Sequence, residues 1–356
     1  MLKAKKKIKV LVAMSGGVDS SVAAQLLKNQ GYQVTGIFLN FWKEQGMSGD
    51  NKCCSLEALL DARAVAQKIG IELFTFDFKD RFKLKVVDNF LSEYQKGRTP
   101  NPCVICNREV KIGGLLKYAR GLGFDYVATG HYLRLKKVGR TYRLYKAKDK
   151  NKDQSYFLYT FNQEQLAHLL FPLGNYNKPR VRELAKKYAL PTAEKKESQE
   201  ICFIPGKHHN DFLKRHLRLA PGEIKILGTD KVIGQHEGLA LYTIGQRRGL
   251  IGGTGPYYAA KFDVKTNTLY VVKDFNDPVI YGDSLKAKNV NWLGRPKFPL
   301  NCEAVIRYRH PAVKCQVRLV GKDYLVSFKK PQRAVTPGQS IVFYQGLEVL
   351  GGGIIC

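Results

Sequence analysis

At 356 residues, 44% of them hydrophobic, the chain is long enough for two or three domains with real cores. Lys and Arg outnumber Asp and Glu by 59 to 30, a net charge of +29. Solubility asks a magnitude of only ~2–8 of a small domain, so the excess points to a polyanionic partner, nucleic acid ahead of an acidic membrane. No apolar run reaches the ~18 residues of a transmembrane helix, and the basic N-terminus leads only into a strand-length apolar run. No membrane partner and no signal peptide are therefore expected, and the localisation expected is cytoplasmic. In a reducing cytoplasm the eight cysteines read as ligands, catalysts or core residues rather than structural disulfides.

The first predicted elements are a buried strand from Ile8, a turn with two adjacent glycines, and a helix opening at Ser20. Free N–H groups and the helix dipole make such a turn an anion site, glycines let phosphate approach, and Ser15, Ser20 and Ser21 add hydroxyls. The stretch Ser15-Gly16-Gly17-Val18-Asp19-Ser20 has neither the Walker lysine nor a GxGxxG. It matches SGGxDS, the PP-loop of enzymes that cleave ATP between the α and β phosphates. Asp19 beside phosphate suggests help in holding Mg2+.

Strands are predicted over 33–39, 71–76 and 124–129, and helices over 55–70, 79–96 and 113–123, with a loop over 40–54. This alternation argues a doubly wound parallel sheet with its ligand beyond the C-terminal strand ends, where Gly16, Leu39, Gly130 and His131 fall. A hairpin over 133–147, a polar loop over 146–154, and helices over 163–170 and 181–189 follow. From Gly222 short alternating runs (238–244, 257–263, 268–272) suggest a small β-rich module, and beyond Gly282 runs at 303–308, 314–320, 324–328 and 340–344 suggest a β-barrel. The domains expected are 1–205, the PP-loop ATP-binding domain; 206–281, a central β-rich domain; and 282–356, a C-terminal β-barrel.

Cys103-Val104-Ile105-Cys106, stiffened by Pro100 and Pro102, presents two sulfurs three residues apart. One CxxC is ambiguous among half a zinc site, an iron–sulfur ligand pair, a redox dithiol and a nucleophile. Cys53 and Cys54 read as packing residues, and Cys302, Cys315 and Cys356 as structural. Cys202, between Ile201 and Phe203, reads by itself as a buried strand residue.

The motifs AMSGGVDSS, GRTPNPCVICN, ATGHY, KDQSYFL, ICFI, YTIGQRRGL, RYRH, AVTPGQS and GGGII together resemble the tRNA-specific 2-thiouridylases of bacteria, the MnmA type, over essentially the whole chain. The resemblance implies ATP-dependent 2-thiolation of the wobble uridine in tRNAs for glutamate, glutamine and lysine. By the same resemblance Ala13, Met14, Ser15, Gly16, Gly17, Val18, Asp19, Ser20, Leu39 and Gly130 match the ATP contacts. Asn101, Pro102 and Cys103 match the loop that meets the target base, with His131 close by. Lys152, Asp153 and Gln154 match a tRNA-reading loop, and Arg307, Tyr308 and Gln339 match tRNA contacts from the barrel. Cys106 matches the nucleophilic cysteine and Cys202 the persulfide-bearing one, charged by a cysteine desulfurase or persulfide carrier.

One position departs from that pattern: many members carry Asp where this chain has Cys103. A general base is thereby lost, and Cys103, Cys106 and Cys202 offer three thiolates to a 4Fe–4S cluster. Cluster chemistry and a Cys202 persulfide resolved by Cys106 both stay open at the level of sequence. Two other functions compete. A PP-loop enzyme adenylating a small metabolite would not need a charge of +29 or a barrel, and a non-enzymatic RNA-binding protein would not need SGGVDSS with ATGHY.

Overall fold

The computed structural model describes residues 7–44, 55–196, 201–204, 209–250 and 255–356. They fall into two compact units, one of residues 1–87, 102–207 and 347–350, the other of 88–101, 208–346 and 351–356. Residues 45–54 of the loop expected over 40–54, with Cys53 and Cys54, the stretch 197–200, and the junction at Pro205 lie outside the described residues.

In the first unit, β1 (Lys9–Ala13), β2 (Gln33–Asn40), β3 (Leu73–Asp77) and β4 (Tyr126–Ala128) alternate with helices, as expected. After them come β5 (Leu133–Val138), β6 (Thr141–Lys146) and β7 (Leu169–Leu170). The parallel sheet runs β3-β2-β1-β4-β7, so strand order reverses between β1 and β4. That reversal opens a crevice beyond the ends of β1 and β4, the place where such sheets bind ligands. Val10, Leu11 and Val12 are all buried because helices cover both sheet faces; Val18–Asn29 packs Val22, Ala23 and Leu26 into this core. Ser55 caps Leu56–Ile69 by accepting from the Ala58 amide at 3.0 Å, and Gly70 closes it in a left-handed conformation.

Two expectations change here. The single helix over 79–96 is instead Lys79–Phe82, a π-helical turn at Lys83–Val87, and Asp88–Gln95, the last in the second unit. A second π turn, Asn107–Lys111, follows the short helix Pro102–Cys106. Its widened geometry explains Gly113, where a Cβ would lie 1.9 Å from the Arg108 carbonyl oxygen. The helix over 163–170 stops at Leu166, because Leu169–Leu170 joins the sheet as β7 beside β4.

In the second unit, β8 (Gly222–Ile226), β9 (Val232–His236), β10 (Tyr258–Asp263) and β11 (Thr268–Val272) form a sheet in the order β10-β11-β8-β9. The strand expected over 238–244 is a tight turn, Leu239–Leu241, that buries both leucines and so imitates strand alternation. A barrel follows from β12 (Tyr281–Trp292), β13 (Leu300–Val305), β14 (Val313–Val320), β15 (Asp323–Arg333), β16 (Ser340–Gln345) and β17 (Glu348–Ile355). It closes where β12 pairs with β17, Ala287 opposite Ile355, which leaves the barrel no exposed edge. No helix among the described residues is long and apolar enough to cross a membrane.

Candidate functional site

Beyond β1 the chain turns sharply. The Ser15 amide donates to Ser20 Oγ at 3.2 Å, and the Ser20 and Ser21 hydroxyls donate to the Gly17 carbonyl at 3.0 and 2.9 Å. Gly16 has φ +69°, and a Cβ there would lie 2.2 Å from the Ala58 carbonyl oxygen, so only glycine fits. The helix Val18–Asn29 starts at Gly17 with no side-chain cap. Its first N–H groups therefore face the crevice without an internal acceptor, as an anion site requires. Gly130, beyond β4, closes the other wall, where a Cβ would sit 2.7 Å from the Ser20 amide. Ala13, Met14 and Val18 line up along this loop, and Leu39 is buried near the end of β2.

Asp19 is held by groups that local sequence patterns do not reveal. Lys178 Nζ donates to both carboxylate oxygens at 2.7 and 2.8 Å, and the Tyr132 hydroxyl donates to Oδ1 at 2.6 Å. Lys178 is buried and begins the helix Lys178–Lys187, where the dipole disfavours a cation. Asp19 offsets that cost. A lysine between the capping Asn177 and Pro179 was the available signal. Tyr132 also ties in Gln154, whose side-chain oxygen accepts from the Tyr132 amide at 2.9 Å and whose own amide donates to the Tyr132 carbonyl. Asp153 accepts from the Ala147 amide and the Ser155 hydroxyl at 2.8 and 2.7 Å, and burial still pushes its carboxyl above the usual range. Asp153 and Gln154 thus shape their loop, with Lys152 between the Asp149 turn and Asp153.

Cys103 is exposed and Cys106 buried on the helix Pro102–Cys106, while Cys202 is half-buried. Phe203 meets Phe82 edge-on at 5.7 Å, and Phe82 stacks on Phe41, just past β2, at 4.9 Å. The π turn Lys83–Val87 packs against Pro102–Cys106. Both cysteine-bearing segments therefore abut one stretch, Phe82–Val87, at the C-terminal side of the sheet. π turns concentrate at functional sites, and the glycine pair 113–114 inside a helical pattern was the sequence signal for the second. His131 shares a 2.8 Å hydrogen bond between Nδ1 and the Thr129 hydroxyl. Desolvation, and then the charge of Lys111, push its pKa down to about 3, so the ring is neutral at pH 7. A concavity lined by Phe76, Phe78, Arg81 and Tyr118 lies at the end of β3, two strands from the loop, and no candidate residue lines it.

In the second unit the turn after β15 gathers two expected residues, Arg307 and Gln339. Arg307 donates to the Thr336 hydroxyl at 3.0 Å. The Thr99 amide donates to the Pro337 carbonyl at 2.9 Å, and Gln339 Nε2 donates to the Thr99 and Pro100 carbonyls at 2.9 and 3.3 Å. Gln339 thus fixes the backbone that leads, through Asn101, to Pro102 and Cys103. Tyr308 lies 5.3 Å under the Arg309 guanidinium.

Comparison with known proteins agrees with this architecture. Residues 8–206 match the profile of a tRNA methyl transferase HUP domain, 210–273 a tRNA methyl transferase PRC-barrel domain, and 282–355 an aminomethyltransferase β-barrel domain. A tRNA-specific 2-thiouridylase MnmA of Pseudomonas fluorescens is 46% identical over 98% of this chain and 95% of its own. That of Methylobacillus flagellatus is 47% identical over 98% and 99%. The chain belongs to the tRNA-specific 2-thiouridylase (MnmA) family. The profile descriptions speak of methyl transfer and the relatives of thiolation; the relatives match end to end and weigh more. A solved 4-thiouridine synthetase–RNA complex with bound ATP is 17% identical over 58% of this chain and 50% of that one, with a TM-score of 0.36.

With its PP-loop, this member of the MnmA family is an ATP-using enzyme. Among the described residues no group of three His, Cys, Asp or Glu side chains is placed to hold a metal. Cys103 is exposed and Cys106 buried, and these two with Cys202 are not gathered as a ligand set among the described residues. For Mg2+ the loop offers one carboxylate, Asp19, already engaged by Lys178; such an ion would be held chiefly by ATP phosphates and water.

Proposed function

We propose that the chain converts the 2-carbonyl of the wobble uridine in glutamate, glutamine and lysine tRNAs to a thiocarbonyl, with ATP as activator. A uracil 2-carbonyl between two nitrogens is a weak electrophile with a poor leaving oxygen. Attack of that oxygen on the α-phosphorus of ATP makes an adenylate and releases pyrophosphate. Ala13 to Ser20, Leu39 and Gly130 hold the nucleotide, with the triphosphate against the open N-terminus of Val18–Asn29. Asn101, Pro102 and Cys103 meet the extruded base, and His131, too weak a base at a pKa of about 3 to accept its proton, hydrogen-bonds to it as a neutral ring. Lys152, Asp153, Gln154, Arg307, Tyr308 and Gln339 serve tRNA binding, the last by shaping the approach to Cys103.

Sulfur follows through a Cys202 persulfide, charged by a cysteine desulfurase or persulfide carrier. Its terminal sulfur attacks C2 and AMP leaves with the oxygen. Cys106 thiolate then attacks Cys202 Sγ, the bond to the transferred sulfur breaks, and thiouridine departs as a disulfide forms. An external dithiol restores both cysteines. Cys106 begins buried, so this step requires its helix to turn. The three-part division at 1–205, 206–281 and 282–356 and a cytoplasmic setting belong to the same proposal.

The observation that carries this reading is the open helix N-terminus on the same sheet edge as Gly130, His131 and the stretch against which both cysteine segments pack. Purified protein with ATP, Mg2+, a persulfide donor and unmodified tRNA tests it: 2-thiouridine and tRNA-dependent pyrophosphate release are expected. Release independent of tRNA, or no thionucleoside, refutes it. Cys103→Ala is expected to keep activity; an anaerobically prepared wild type with stoichiometric iron and an inactive Cys103→Ala would establish the cluster route instead.

A further inference from the structure

The hairpin β5–β6 and the loop after it carry nine Lys and Arg within residues 133–152, against one acid, Asp149. More than a quarter of the net charge of +29 therefore sits in 20 of 356 residues. The oxygens of Asp149 are turned to the Asn151, Lys152 and Lys178 amides. Lys136 stands directly opposite Arg143 across the hairpin, a like-charge pairing that costs stability in a sheet. Arg143 is offset by Glu348 at 3.2 Å, but among the described residues no carboxylate pairs with Lys136, Lys137 or Arg140, all exposed.

Two tyrosines are interleaved with these cations. Lys136 Nζ lies 5.8 Å from the centre of the Tyr145 ring and Lys137 Nζ 5.8 Å from that of Tyr142. The hairpin is anchored along β6: Leu144 is buried, and nearer the turn Gln163 brackets Tyr142 by donating to its carbonyl at 2.9 Å and accepting from its amide at 2.7 Å. An anchored ribbon of ammonium and guanidinium groups alternating with aromatic rings suits a phosphodiester backbone with bases to stack on, more than a flat lipid surface.

We infer that the tip of this hairpin, Lys136, Lys137 and Arg140, is a phosphate-contacting RNA surface separate from the 152–154 loop and the barrel residues. It rests on the reading of tRNA as the substrate. Each contact with phosphate releases condensed counterions, at ~0.7–0.9 units of slope in log K against log salt.

The test is the triple variant Lys136→Gln, Lys137→Gln, Arg140→Gln, titrated with unmodified substrate tRNA from 50 to 200 mM salt beside the wild type. The slope is expected to fall by ~2–3 and affinity at 50 mM salt to weaken at least about tenfold, with ATP affinity unchanged. The double variant Lys136→Arg, Lys137→Arg, with Arg140 kept, should retain the wild-type slope, which a folding defect would not permit. An unchanged slope overturns the inference, as does a variant that binds tRNA normally but loses binding to phosphatidylserine vesicles. A wild type that binds no tRNA at all would instead overturn the substrate reading itself.

Discussion

Replacing Lys178 with Met removes the cation that holds Asp19, while the Tyr132 hydroxyl still donates to the carboxylate at 2.6 Å. Breaking a fully buried ion pair by deleting one partner costs ~3–5 kcal/mol. Here the Lys178 side chain is 10% exposed but that of Asp19 is 33% exposed, so water recovers part of the loss and ~1–3 kcal/mol is expected. Met also relieves a cation at a helix N-terminus, worth ~0.3–1 kcal/mol in the opposite direction, which places the result toward the lower half of that range. The assay is amide hydrogen exchange of Lys178–Lys187 and Val18–Asn29, where ~1–2 kcal/mol reads as roughly 5- to 30-fold faster exchange when reclosing is fast. Asp19→Asn in the Lys178→Met background should recover most of the protection, because no buried charge is then stranded. Strictly additive losses in the four-protein cycle, or unchanged protection in Lys178→Met, would refute the pairing.

Gly130→Ala should weaken ATP binding at least about tenfold, because its methyl group would lie 2.7 Å from the Ser20 amide; calorimetric titration checks this, and wild-type affinity would contradict the close approach. Gln339→Ala should lower the turnover number for thiolation on the order of tenfold with ATP affinity intact, since it releases the Thr99 and Pro100 carbonyls; unchanged turnover would show that the backbone there needs no such tether. His131, His209 and His236 all have pKa values lowered, chiefly by desolvation. The unfolded chain therefore binds more protons than the folded one below ~6.5, and stability must fall as pH drops through that value, by at most ~1.4 kcal/mol per pH unit for each ring. For His131 that window extends down to about 3, so urea midpoints measured against pH should fall less steeply in His131→Gln.

The nucleotide-binding half of this protein was legible because its signals are local. A Gly-Gly turn between an apolar strand and a helix determines its own backbone, and alternation of strands and helices determines a parallel sheet. The closed barrel was legible only as a class: its short runs marked strands, but β12 and its pairing with β17 depend on residues 59 to 68 positions apart. Charged and polar side chains were the least legible, because their partners are chosen by the fold. Asp19 suggested a metal ligand by its neighbours, yet it meets Lys178, 159 residues away. Gln339, matched to an RNA contact, holds carbonyls 240 and 239 residues earlier in the chain. The CxxC spacing suggested two thiols presented together, whereas packing against Lys83–Val87 leaves Cys103 outside and turns Cys106 in. Sequence thus determined which chemistry could be present; tertiary structure decided which groups share it, because ion pairs and hydrogen bonds act over a few ångströms of space whatever their separation along the chain.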